Sequence, residues 1–247
     1  MKIFVGNRSG NVGKSTLSRH LLSPRLGGIE PVSVETINSD ESEEGAIRGD
    51  QFALVQDLLL TVDTAIVDVG SSNFESFRDL MKKYQGSHED FDLFLVVTEA
   101  GSKEAGSKQE RDTIMTIKDL SELGAPAHKI IVLFNKIDRE EDIDEKFPML
   151  HAFHASEKLF SLRRDAFVLS NPIFAKLRKL PGSSIIDIRD DKTDYKAQLA
   201  EAQKSGASDD EKNRIKDLIA TRRLATGASL QLDSAFKAIT RKGKSGE

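Results

Sequence analysis

The chain has no cysteine among its 247 residues. That excludes a disulfide framework and any thiolate metal site, and it is compatible with a reducing compartment. A long apolar run of the kind that crosses a bilayer is missing, and the opening Met1-Lys2-Ile3-Phe4-Val5 is too short for the apolar core of a secretory signal. A soluble, cytoplasmic protein is therefore expected. There is no surplus of positive charge either: the formal net charge is -4, which gives no global attraction to nucleic acid. The five histidines form no readable cluster. His151 and His154 lie three apart but lack a third ligand at metal-binding spacing, and His20, His88 and His128 are isolated.

What is present begins with Gly6-Asn7-Arg8-Ser9-Gly10-Asn11-Val12-Gly13-Lys14-Ser15-Thr16, a glycine-bearing turn between an apolar strand, Lys2 to Gly6, and a helix expected from Lys14 to Leu22. Such a turn directs consecutive backbone N–H groups at the start of a helix, a ready site for an anion of phosphate size. Gly10 and Gly13 let the backbone curl around phosphates without a Cβ in the way. Lys14 then reaches the β- and γ-phosphates, the Ser15 hydroxyl holds Mg²⁺, and Thr16 offers a second hydroxyl near the α-phosphate. The ligand asked for is a nucleoside triphosphate. The strict Gly-x-x-x-x-Gly-Lys-[Ser/Thr] pattern is not met, because it requires glycine where the chain has Arg8.

Further along, Pro31 to Ile37 reads as a second strand, followed by a polar acidic loop from Asn38 to Gly45 and an amphipathic helix from Ile47 to Leu60. The continuous apolar stretch Thr64-Ala65-Ile66-Val67-Asp68-Val69 ends in a carboxylate and Gly70. An ionised carboxylate at the end of a core strand is costly unless a cation awaits it, so Asp68 is expected to hold Mg²⁺ and the Gly70 amide to sense the γ-phosphate. The competing use of this turn is capping of the next helix, Phe74 to Lys83, by Ser71, Ser72 or Asn73. Leu93 to Thr98 and Lys129 to Phe134 are the fourth and fifth strands, with a helix from about Ser107 to Leu123 between them. The fifth runs into Asn135-Lys136-Ile137-Asp138, the Asn-Lys-x-Asp pattern by which GTPases read guanine, with the aspartate accepting from the base. A helix from Phe147 to Arg163 and a sixth strand, Asp165 to Leu169, lead to Ser170-Asn171-Pro172.

From Gly182 onward the chain turns to polar helices, about Lys192 to Lys204, Asp209 to Leu224 and Ala228 to Ile239, punctuated by Gly206 and Gly227. This last part is the most basic, with Lys212, Arg214, Lys216, Arg222, Arg223, Lys237, Arg241, Lys242 and Lys244. Non-specific contact with DNA phosphates and simple solvation of helix faces are both open, since no helix-turn-helix, zinc finger or aromatic interleaving is present. Six strands alternating with helices imply an α/β fold: a doubly wound, mostly parallel sheet with helices on both faces. Residues 1–180 are expected to form the nucleotide-binding core, and residues 181–247 helices packed on or extending it.

Ser9-Gly10-Asn11-Val12-Gly13-Lys14-Ser15 resembles the deviant phosphate loop of the ParA/MinD class of P-loop ATPases, usually Lys-Gly-Gly-x-Gly-Lys-Thr. With Thr16 and the following Arg19-His20-Leu21-Leu22-Ser23-Pro24-Arg25-Leu26 it looks most like the StbB proteins of plasmid stability and conjugation. Two departures stand out: Ser9 replaces the signature lysine that reaches across a nucleotide-sandwich dimer, and Asn11 replaces the second glycine. The resemblance implies slow, Mg²⁺-dependent hydrolysis of ATP, a homodimer and a DNA-binding adaptor protein as partner. It further implies a switch aspartate that orients the attacking water, for which Glu35, Asn38 and Asp40 remain candidates. In this class the asparagine at the position of Asn135 faces adenine, and a proline loop like Asn171-Pro172 packs over the base. Asp138 keeps GTP open as the substrate. Arg8 is offered as a partial substitute for the lysine missing at Ser9.

Overall fold

The computed structural model describes residues 1–34, 49–100, 106–140, 142–180 and 182–241. Its first compact unit comprises Met1–Ser170 together with the residues from Ser234 on. Among the described residues six strands build it: β1 (Lys2–Gly6), β2 (Val32–Ser33), β3 (Ala65–Val69), β4 (Leu93–Glu99), β5 (Ile130–Ile137) and β6 (Phe167–Leu169). All pair in parallel, in the order β2-β3-β1-β4-β5-β6. The strands are near-continuous apolar runs because both faces of the sheet are buried, as a parallel sheet requires. The expected α/β architecture is therefore what forms, with β1 central.

Right-handed crossovers place connections that run in opposite directions along the sheet on opposite faces. The helical segment after β1 leads toward β2 at one edge. By contrast α2 (Gly49–Thr61), α3 (Phe74–Lys83), α4 (Gly106–Glu122), α5 (Asp142–Lys146) and α6 (Pro148–Glu157) connect strands in the other direction. On their face Phe4, Val67, Val69, Phe94, Val96, Val132 and Phe134 pack with Phe52, Val55, Phe74, Phe77, Leu120 and Phe147. Phe4 lies at its centre, with ring centroids of Phe74, Phe77, Phe91 and Phe94 at 6.3, 5.8, 5.9 and 5.5 Å. A Cβ on Gly6 would fall 2.4 Å from the Phe4 ring. Glycine at the end of β1 is thus required for the core as well as for the turn.

Two structural details tie the helices down. Glu110 on α4 is buried, and its Oε1 accepts from the Met149 and Leu150 amides at 3.0 and 3.2 Å, capping the first turn of α6 from outside. Burial pushes its carboxyl pKa up despite those two bonds. Arg163, also buried, donates to the Ala238 and Ile239 carbonyls at 2.8 and 3.1 Å, placing a cation at the carboxyl end of the last helix, where the helix dipole favours it.

The second unit, Asn171–Asp233, contains α7 (Ile173–Leu177), α8 (Ile185–Asp190), α9 (Tyr195–Lys204) and most of α10 (Asp209–Thr240). Ser184 and Asp187 form a reciprocal capping box on α8, and Asp194 caps α9. The Arg222 guanidinium stacks over the Tyr195 ring at 5.0 Å and donates to the Asp191 and Thr193 carbonyls. Hydroxyls of Thr193 and Tyr195 hold the Asp191 carboxylate, bringing its pKa down to about 2.

Several expected boundaries differ. The helix after β1 is α-helical only over Lys14–Leu17 (α1) and continues as a π-helical stretch, Ser18–Leu22. The helix expected to reach Arg163 stops at Glu157, where Lys158 adopts left-handed backbone. Residues 209–240 form one helix rather than two. Gly227 does not interrupt it, because Ile215, Ala225, Ala228 and Leu232 are buried along one side of α10, and that burial outweighs the roughly 1 kcal/mol that an exposed glycine costs a helix. The helices α7 and α8 were not foreseen.

The π-helical stretch holds His20, whose burial, with Arg19 nearby, lowers its pKa from 6.5 to about 4. Between those values the unfolded chain binds a proton that the folded chain does not, so stability is intact above pH 6.5 and falls as the pH drops toward 4. At pH 5 the loss from this group is about 2 kcal/mol. Urea unfolding at pH 7 and pH 5 is expected to show that loss in the wild type and a correspondingly smaller one in His20→Leu.

Candidate functional site

The turn after β1 folds as a loop several of whose polar groups find partners within the chain. Asn7 is fully buried, and its amide donates to the Val97 carbonyl (2.8 Å) and Thr113 Oγ1 (2.9 Å), while its Oδ1 accepts from the Ser9 amide (2.9 Å). Arg8 turns outward to α3 and α4: Nε donates to Asp119 Oδ2 at 2.7 Å and Nη1 to Glu75 Oε1 at 2.6 Å, with the guanidinium over the Phe74 ring. Asp119 also receives Arg78. The Arg8 charge is thus engaged inside its own chain, where it staples the start of the loop to two helices.

Ser9 is buried, and its carbonyl accepts from Lys14 Nζ at 2.8 Å; the same ammonium reaches the Asn7 carbonyl at 3.3 Å. Lys14 therefore lies beneath the loop that curls over it. Gly10 and Asn11 are exposed, Val12 is buried, and Ser15 and Thr16 open to solvent at the start of α1. Gly13 has φ 94°, left-handed backbone, and a Cβ there would stand 2.3 Å from Asn135 Nδ2.

Asp68 is 4 % exposed. It lies beside Val5 in the β1–β3 ladder and, by strand alternation, on the face of Ile66 rather than that of Val67, the side over which the segment from α1 runs. The π-helical continuation of α1 packs against β3. Gly70 opens the turn into α3, its carbonyl accepting from the Asn73 amide at 3.1 Å. Asn73, at the N-cap position, makes no side-chain capping bond. A serine hydroxyl and a carboxylate are both hard oxygen donors, the type Mg²⁺ takes when phosphate and water complete its shell, so Ser15 and Asp68 fit that ion. Among the described residues no group of three or more His, Asp or Glu residues stands ready to hold a metal by itself.

At the end of β5, Asn135 is buried and donates Nδ2 to the Val12 carbonyl at 2.8 Å. Lys136 donates to the Asn11 carbonyl at 2.9 Å and forms an ion pair with Glu99. Asp138 is exposed and pairs with Lys146 at 3.0 Å. Both Asn135 and Lys136 belong to β5, which runs beyond the expected end at Phe134. The ladder to β6 shifts register between Phe134 and Ile137, the irregularity by which these two residues leave the pairing and turn to the loop. Asn171 and Pro172 begin the second unit, where the Asn171 side chain accepts from the Ile173 amide at 2.9 Å. Glu35, Asn38 and Asp40 lie outside the described residues.

Sequence reasoning missed Asn7, Glu99 and the Thr98–Thr113–Thr116 hydroxyl cluster. An asparagine directly after β1 was the one visible signal. Of the cations in the basic carboxyl-terminal part, Arg222 is used internally and Arg241 pairs with Asp165 at 2.5 Å. Among the described residues no helix is long and apolar enough to cross a membrane.

No family model matches this chain, and no curated protein does. Among solved structures, one of an ATP complex of McdA from Cyanothece is similar over 73% of this chain and 90% of that chain, at 13% identity and a TM-score of 0.40.

Proposed function

We propose that the chain binds a Mg²⁺–nucleoside triphosphate at the loop 6–16 and hydrolyses its β–γ bond slowly, by in-line attack of water. The observation that carries this reading is the loop itself. It follows the central strand of a parallel sheet, has left-handed glycine at its turn, and holds Lys14 beneath it and buried Asp68 on the neighbouring strand. Ser15 and Asp68 would hold Mg²⁺, which when bound would neutralise charge on the phosphate oxygens. The loop amides and Lys14 bind the β- and γ-phosphates and offset the charge that grows on the transferred group. Gly70 is close in sequence to Asp68 and offers an amide to the γ-phosphate. One of Glu35, Asn38 and Asp40 would orient the water. ATP is the preferred substrate by the resemblance to ParA/MinD proteins, which also suggests a homodimer acting with a DNA-binding adaptor in plasmid stability or conjugation.

A GTPase or binding-switch reading is favoured by one feature: Asp138 is exposed two residues beyond a side chain tied to the phosphate loop, where a carboxylate suits the donor edge of guanine. Titrating ATP and GTP in Mg²⁺ separates the two. Tighter ATP binding with measurable phosphate release supports the ATPase, and tighter GTP binding that Asp138→Ala abolishes supports the alternative. Failure to bind either removes both.

A further inference from the structure

Two non-glycine residues with left-handed backbone meet across one hydrogen bond. They are Asn11 in the loop, φ 59°, and Lys136 at the end of β5, φ 56°. Lys136 Nζ donates to the Asn11 carbonyl at 2.9 Å. Asparagine tolerates such backbone, but for lysine it is disfavoured and persists where the surroundings hold it. Glu99 ends β4 directly beside Asn135 in the ladder and pairs with Lys136 through a side chain only 16% exposed. One residue back, the Asn135 amide takes the Val12 carbonyl at 2.8 Å.

Consecutive residues of β5 therefore hold consecutive carbonyls of the loop. In a trans peptide the N–H points opposite to the carbonyl of the same unit. With the Asn11 and Val12 carbonyls drawn to β5, the Val12 and Gly13 N–H groups are turned the other way, as donors for an anion. We infer that the Glu99–Lys136 pair is a positioning device that presets these two amides for phosphate before any ligand arrives, and that Lys136 acts on the phosphate end of the ligand rather than on its base. This rests on the phosphate-binding reading of the loop.

The test is isothermal titration of wild type, Lys136→Met, Lys136→Arg and Glu99→Gln with three probes, each with Mg²⁺: ATP, GTP and inorganic tripolyphosphate. A lost charged tether is expected to weaken binding of all three probes by the same factor, about tenfold or more, in Lys136→Met. Lys136→Arg should recover most of the loss, because it keeps the charge and the donor. Glu99→Gln should lie between, and melting temperatures should stay near that of wild type. A loss confined to the two nucleotides, with tripolyphosphate untouched, overturns the inference in favour of a base contact. Undiminished binding by Lys136→Met overturns it as well. If wild type binds none of the three, the loop reading falls and the clamp with it, an outcome distinct from the other two.

Discussion

Replacing Gly13 by alanine is expected to remove nucleotide binding, by a factor of a hundred or more, while leaving a folded protein about 2–5 kcal/mol less stable. Two costs add at this position. The backbone is left-handed, which disfavours a Cβ by about 1–2 kcal/mol. The new methyl would also lie 2.3 Å from Asn135 Nδ2, so the buried amide must leave the Val12 carbonyl, which then goes unpaired at about 1–3 kcal/mol. Loop and strand end separate together, and with them the Val12 and Gly13 amides proposed to meet phosphate. Gly28 provides the control, since it is also left-handed, φ 79°, but has nothing within 4 Å of its would-be Cβ. Gly28→Ala should cost only the backbone term and leave binding intact. Nucleotide titration and urea unfolding of both variants decide the matter, and wild-type affinity in Gly13→Ala would refute it.

Asn7→Ala is expected to be the most destabilising single change near the site, at about 3–5 kcal/mol. The side chain is fully buried and binds the Val97 carbonyl, Thr113 Oγ1 and the Ser9 amide. Around it Thr98, Thr113 and Thr116 are buried too, with Thr113 donating to Thr98 at 2.9 Å and Thr116 reaching Asn7 Oδ1 at 3.4 Å. Truncation strips partners from several groups that water does not reach, and each pays its desolvation penalty. Asn7→Asp should not rescue it, because the carboxylate keeps an acceptor for Ser9 but loses both donated bonds and buries a charge. Denaturant unfolding measures this directly. A cost under about 1 kcal/mol would mean that the hydroxyl cluster reorganises to satisfy itself.

Much of the fold was legible because a buried parallel strand is an unbroken apolar run and needs no knowledge of its partners. Lys2–Gly6 and Phe74–Lys83 were expected with the bounds they have. The glycine-bearing loop after β1 was legible for the same local reason, since its spacing is carried by consecutive residues. The uninterrupted α10 was not, because Gly227 is a breaker by propensity and only packing along one side of the helix overrules it. The extension of β5 past Phe134 was hidden likewise, for it rests on pairing with neighbouring strands, Asn135 beside Glu99 and Ile137 beside Leu169.

The amino-acid sequence by itself determined the alternation of strands and helices, the position of the glycine-bearing loop, and the identities of Lys14, Ser15 and Asp68 as its charged and metal-binding candidates. Those properties depend on neighbours within a few positions along the chain. Only the tertiary structure decided that Asn7 knits the loop to partners 90 and 106 residues away, that Arg8 is engaged by Asp119 and Glu75, and that Asn135 and Lys136 grip the loop's carbonyls. Buried polar groups are satisfied by whatever the fold brings beside them, and spacing along a sequence does not encode that.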